Sequence, residues 1–143
     1  MRLNIAILSL LFASAVLTSP ASAQDVAAGE KTFNVCRACH QIGAGAKNLI
    51  GPALNGVVGR KSGIYPEYPY SDANKNSGLT WDEATLKEYL KDPRAKVPGT
   101  KMLYPGLRKD EDIDNVIAFL KQYGPSGTKG EAQSPSGAPR SPL

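Results

Sequence analysis

The sequence predicts an all-α fold of short helices joined by long loops, with helices near both ends of the mature chain. Three observations carry this. Asp25 is a good N-cap, and Val26, Gly29 and Phe33 after it fall on one helical face. Ile113, Val116, Ile117 and Leu120 form a second apolar stripe at helical spacing, with Phe119 beside it. Between them, residues 41 to 70 are punctuated by Gly43, Gly45, Gly51-Pro52, Gly56, Gly59, Gly63, Pro66 and Pro69, which leaves little room for regular structure. The chain of 143 residues is enough for one small domain.

The first segment is not part of that domain. Arg2 gives a positive start, Ile5 to Leu17 is apolar, Ser19-Pro20 breaks the run, and Ala21-Ser22-Ala23 supplies small residues. This reads as a secretory signal peptide over 1–23, cut after Ala23, because the apolar run is too short to span a bilayer comfortably. Cleavage removes Arg2 and lowers the formal charge of +4 by one. The domain proper is expected over 24–125 in an exported, periplasmic protein that does not span the membrane.

The first helix is expected from Val26 to about Cys36. Gly29 inside it costs about 1 kcal/mol relative to Ala, so its presence points to a close crossing with another helix. The loop after it carries Leu49, Ile50, Leu54, Val57, Val58, Ile64 and three tyrosines. A loop this long that can bury apolar surface needs something to bury it against. Ser71 to Asn76 can form a short helical turn. Thr80-Trp81-Asp82-Glu83 reads as a capping box opening a helix through Leu86, Tyr89 and Leu90, which ends near Asp92-Pro93. Pro93 starts another short turn. Pro98-Gly99 opens an extended loop that carries Met102 and closes at Pro105-Gly106. The last helix is expected from Lys109 to Tyr123, with Glu111, Asp112 and Asp114 in its early turns as the helix dipole prefers, and Gly124-Pro125 as its stop. From 126 to 143 the chain is rich in Pro, Gly and Ser, and is expected to be a disordered tail.

The chemistry is concentrated in Cys36-Arg37-Ala38-Cys39-His40. Two thiols three residues apart point the same way from a helical turn, and a histidine follows at once. CxxCH is a c-type haem attachment signal: two thioether bonds to the haem and an imidazole for the iron. The ligand inventory is small. His40 is the only histidine, Cys36 and Cys39 are the only cysteines, and apart from the start residue Met102 is the only methionine. Three adjacent ligands cannot close a tetrahedral zinc site, and no βαβ pattern supports a thioredoxin-like dithiol. A lone methionine is often core filler. With CxxCH upstream, no second histidine and Gly and Pro on both sides, Met102 is the candidate sixth ligand, which would close the iron and raise its potential.

Taken in order, these motifs resemble class I cytochrome c, and within it the bacterial periplasmic cytochrome c2 branch near the mitochondrial type. The resemblance covers about Asp25 to Tyr123. It rests on Gly29 with Phe33, CRACH, Gly51-Pro52, Gly59-Arg60-Lys61, the run Tyr68 to Asn76, Thr80-Trp81, Tyr89-Leu90, Pro98 to Met102, and Phe119. Phe33 stands three residues before Cys36, where the mitochondrial pattern has four.

The resemblance implies a class I cytochrome c fold, in which the two end helices cross near Val116 and Phe119 and the rest wraps around one covalent haem c. It implies His40 and Met102 as iron ligands and Cys36 and Cys39 as the attachment points. Pro52 would accept a hydrogen bond from the far nitrogen of His40. Tyr70 and Trp81 would donate to one haem propionate, with Arg60 and Tyr68 offsetting its charge. Asn74, Tyr89 and Thr100 would hold a polar network beside Met102.

The implied function is a soluble monomeric electron carrier of the respiratory or photosynthetic chain, not an enzyme. Its basic charge suits the acidic docking surfaces of redox partners: a quinol-cytochrome c oxidoreductase, a terminal oxidase or a photosynthetic reaction centre. No arginine-rich block favours nucleic acid. The alternatives are a small haem c peroxidase-like enzyme, which would need an open iron and a distal acid–base group, or the haem subunit of a periplasmic dehydrogenase.

Overall fold

The structure, a computed structural model, describes residues 24–130. The signal segment expected over 1–23 and the tail beyond 130 lie outside the described residues. Five helices run in the order α1 (Val26–Phe33), α2 (Asp72–Asn76), α3 (Glu83–Lys91), α4 (Pro93–Lys96) and α5 (Asp110–Leu120), with one 3₁₀ turn at Cys36–Ala38. Among the described residues there is no β-strand beyond two isolated bridges, Lys61 with Thr80 and Tyr123 with Lys129.

Asp25 caps α1 as expected, its side chain accepting from the amides of Ala27 and Ala28. The helix crosses α5 at Gly29. A methyl group there would stand 1.9 Å from the carbonyl oxygen of Asn115 and 3.0 Å from Cβ of Phe119. The backbones therefore touch where the side chain is missing, and the helical cost of glycine is offset by the closeness of the crossing. Phe33 and Phe119 lock it with ring centroids 5.1 Å apart. Asn115 adds a tie, its Oδ1 accepting from the amide of Asp25 at 2.8 Å. Around this crossing the core gathers Val57, Trp81, Leu86, Tyr89, Leu90, Val97, Ile113 and Leu120.

Three helix limits differ from the sequence expectation. α1 stops at Phe33 rather than near Cys36, because the chain tightens there: the carbonyl of Cys36 accepts from the amides of both Cys39 and His40. The last helix runs from Asp110 to Leu120 rather than from Lys109 to Tyr123, and its end closes with the Gln122 amide on Phe119 and the Tyr123 amide on Leu120. Thr80 is not the cap of α3. The flanking backbone is engaged elsewhere, Trp81 donating to the Arg60 carbonyl and accepting from Gly59, so the helix starts later and Asp82 caps it by accepting from the Thr85 amide at 2.8 Å.

That cap sets a pH dependence. The Thr85 backbone amide and hydroxyl hold the Asp82 carboxyl below its ordinary value of 3.8. A depressed carboxylate contributes stability that is present above its ordinary value and lost as pH falls through the folded value. Asp82→Asn keeps a capping oxygen but removes the charge. Thermal unfolding between pH 2 and pH 7 should show a shallower acid-side loss of Tm in Asp82→Asn than in the parent, with Asp82→Asn slightly lower at neutral pH and the two converging at the acid end.

Ion pairs brace the outer helices. Lys87 holds Asp114 at 2.8 Å, Lys91 holds Asp110 at 3.1 Å and Lys121 holds Glu83 at 2.5 Å, all between α3 and α5. Lys96 on α4 pairs with Glu88. Residues 126–130, where the tail was expected to begin, form a turn that pairs back on the chain, the Gly130 amide donating to the Gln122 carbonyl at 2.8 Å.

Candidate haem site

The 3₁₀ turn at Cys36–Ala38 presents both thiols, half-buried and unbridged, ahead of His40. Burial, reinforced by Cys39, pushes the Cys36 thiol up to about 11. His40 is held from behind: its Nδ1 lies 2.7 Å from the Pro52 carbonyl oxygen. A carbonyl can only accept, so Nδ1 carries the proton and Nε2 keeps a free lone pair, the form a metal needs. Burial pulls the imidazole below its ordinary value and the Arg60 charge adds to this, against the opposing pull of the Pro52 carbonyl. The backbone also lies flat on the ring, since a methyl group at Gly51 would stand 2.3 Å from its Cε1.

A second group gathers around Met102. The Tyr89 hydroxyl and Thr100 Oγ1 are 2.9 Å apart, the Asn74 side chain helps set the Tyr89 phenol's acidity, and the Met102 amide donates to Thr100 Oγ1 at 3.3 Å. Burial pushes the Tyr89 phenol up, so its proton stays on and can be donated. Asn74 is fixed by Ser71, whose hydroxyl donates to its Oδ1 at 2.8 Å and accepts from its amide. Trp81 stands beside Tyr89 with centroids 4.7 Å apart. The half-buried Met102 packs against the core, as does Cys36.

Arg60 links the two groups. Its backbone pairs with Trp81, its Nη1 donates to the Asn55 carbonyl at 2.7 Å, its Nη2 to Ala53 at 3.4 Å, and its plane lies 4.5 Å from the Tyr65 ring centroid. Its charge also acts on the Tyr70 phenol. Its Nε is buried without a partner. An orphaned guanidinium N–H in a buried position is costly unless an anionic group completes it, and the expected haem propionate is such a group. Tyr68 and Tyr70 meet edge to face at 4.8 Å, and the Tyr68 hydroxyl donates to the Ile50 carbonyl at 2.5 Å. The residues present thus fit a haem: a thiol pair, an imidazole in the binding tautomer, and a partnerless cationic N–H.

Residues that the sequence did not single out also shape the site. Asn48 donates to the Pro66 carbonyl at 2.9 Å and accepts from the Ala53 amide, which joins the loop before Pro52 to the loop before Tyr68. Asn55 and Tyr65 hold Arg60. An asparagine among glycines and prolines commonly bonds loop backbone, and that was the available signal.

The chain is also similar to known proteins. The family model for cytochrome c matches residues 26–124. Cytochrome c2 of Blastochloris viridis is 50% identical over 119 residues, covering 83% of this chain and 94% of that protein. Cytochrome c2 of Rhodoblastus acidophilus is 59% identical over 107 residues, 75% of this chain and 100% of that one. The solved structure of cytochrome cH from Methylobacterium extorquens superposes with a TM-score of 0.65 at 52% identity, over 68% of this chain and 98% of that one. The chain thus belongs to the cytochrome c family, as a class I member of the cytochrome c2 type, an electron carrier with one covalently attached haem c.

Proposed function

We propose that Cys36 and Cys39 carry the haem, that His40 Nε2 and Met102 sulfur are its axial ligands, and that the protein shuttles single electrons in the periplasm after removal of residues 1–23. The observation that carries this is the 2.7 Å bond from His40 Nδ1 to Pro52, which leaves Nε2 as the free donor. When bound, the haem supplies a one-electron couple. The chain's residues do the rest. Pro52 fixes the imidazole. Asn74, Tyr89 and Thr100 hold the Met102 loop, Tyr70 and Trp81 donate to one propionate, and Arg60 and Tyr68 offset its charge. Two side-chain ligands that stay bound in both oxidation states keep rearrangement small, which suits electron transfer rather than catalysis.

The partners in this reading present acidic surfaces: a quinol-cytochrome c oxidoreductase, a terminal oxidase or a photosynthetic reaction centre. Lys31, Lys47, Lys61, Lys101 and Lys109 are exposed, and among the described residues none of the five forms an ion pair. Lysines 87, 91, 96 and 121 are paired on the outer helices, so apart from Arg94 on α4 the unpaired positive charge lies elsewhere on the surface. Among the described residues no helix is long and apolar enough to cross a membrane.

Stopped-flow oxidation of the reduced protein by membranes carrying a terminal oxidase tests the docking. The second-order rate should fall steeply as ionic strength rises through 0.15 M, where screening acts within about 8 Å. A rate flat or rising with salt would contradict an acidic partner surface. Rapid turnover of peroxide by the parent protein would favour the peroxidase-like alternative instead.

A further inference from the structure

Three rungs join the segment after His40 to the segment after Pro52. The first is the His40 to Pro52 bond, the second the Leu54 amide on the Gln41 carbonyl at 2.9 Å, and the third a pair between Gly43 and Asn55. In the third, the buried Asn55 side chain accepts from the Gly43 amide at 2.8 Å and donates to the Gly43 carbonyl at 2.9 Å. Only an amide side chain offers both an acceptor and a donor there. The same residue's own carbonyl holds Arg60 Nη1. Asn55 therefore fixes the distal end of the His40 loop and one hand of the guanidinium together.

The chain beyond α5 closes over this third rung. The Gly56 amide donates to the Tyr123 carbonyl at 3.2 Å, and Tyr123 pairs with Lys129 to turn the chain back. Gly127 is buried at φ +78°, and a methyl group there would stand 2.3 Å from the Gly43 carbonyl oxygen and 2.5 Å from Asn55 Nδ2. The turn buries no large apolar side chain. Its buried residues are Gly124 and Gly127, so what it contributes is backbone contact with the Gly43–Asn55 pair.

We infer that residues 124–130 are a brace that positions Arg60 and the His40 loop, with Asn55 and Gly127 as positioning residues that tune the haem potential. This rests on the reading that Arg60 offsets the haem's acidic groups. A cation held beside the haem disfavours the more positive, oxidised iron, so loosening Arg60 lowers the potential. The brace bears on Gly43, Asn55 and Gly56 and not on either iron ligand.

The test uses the full holoprotein and four variants: Gly127→Ala, Asn55→Ala, Arg60→Gln and Gly78→Ala. Gly78 lies outside the turn at φ +67° with open space around it, so its variant carries left-handed strain without contact with the pair. Two quantities are read, the midpoint potential by redox titration and hydrogen exchange at the Leu54 amide, one rung nearer His40. Gly127→Ala and Asn55→Ala should lower the potential in the same direction as Arg60→Gln and speed Leu54 exchange at least tenfold, while Gly78→Ala changes neither. If Arg60→Gln lowers the potential but Gly127→Ala and Asn55→Ala do not, or if Leu54 exchange is unmoved in both, the brace is overturned and the reading of Arg60 stands. If Arg60→Gln leaves the potential unchanged, the reading of Arg60 fails and the tuning role falls with it. If Gly78→Ala matches Gly127→Ala, backbone strain and not the brace is responsible, and the inference is again overturned.

Discussion

Met102→Ala should leave a folded haem protein that no longer works as the same carrier. The sulfur-to-iron charge-transfer band in the red part of the oxidised spectrum should vanish. The potential should drop by a sizeable part of the roughly 0.8 V over which axial ligands set haem potentials. With the sixth position open, the variant should gain peroxide reactivity that the parent lacks. Stability should suffer less than the spectrum. Met102 closes a long loop, but closure cost rises by only about 0.6 kcal/mol per doubling of length, and Thr100, Tyr89 and Asn74 still tie the loop to the core. A red band that survives Met102→Ala would mean another group binds the iron. The parent should lose the same band on alkalinisation before it unfolds. Lys101 is the nearest basic side chain in sequence, and its amine must first leave the Pro69 carbonyl, which it holds at 2.7 Å.

Gly29→Ala should destabilise the protein through a single added methyl group. Alanine helps an isolated helix by about 1 kcal/mol over glycine. Here the added carbon would stand 1.9 Å from the Asn115 carbonyl oxygen and 2.5 Å from its carbon, both backbone atoms of α5. The helices must separate, and overpacking against backbone of this kind costs about 3 kcal/mol, the upper end of the usual range. The net loss of about 2 kcal/mol corresponds to a fall in Tm of roughly 10 °C for a domain of this size. Differential scanning calorimetry of the holoprotein checks it. An unchanged Tm would mean that the crossing is not tight, and that Phe33 and Phe119 alone carry the α1–α5 contact.

The α1–α5 crossing was legible because its signals are local and paired: an unexplained glycine in one apolar stripe and a second stripe far along the chain. The bond from His40 to Pro52 and the Tyr89–Thr100 pair were legible only through the order of motifs, since nothing within either residue's own neighbourhood names its partner. Thr80 shows the opposite case. Its capping-box pattern is sound locally, yet a backbone bridge to Lys61 takes that stretch and gives the cap to Asp82. Tertiary hydrogen bonding outweighed a local preference worth about 1 kcal/mol. Asn55 among glycines signalled a bond to loop backbone, but nothing in the sequence named Gly43 or Gly127 as its neighbours. The Asn55 side chain meets backbone groups there, and a turn of Ser, Gly and Thr after the last helix looks the same whether it packs or not.

The central claim is that Cys36 and Cys39 carry the haem, with His40 beneath it. Mass spectrometry of the protein purified from a periplasmic fraction, followed by proteolysis, tests this most directly. The intact mass should equal residues 24–143 plus one haem. Colour should stay with the polypeptide through acid-acetone extraction, and the haem mass should map to the peptide containing Cys36-Arg37-Ala38-Cys39-His40. A peptide with the two cysteines joined as a disulfide, or free, and no haem attached would contradict it.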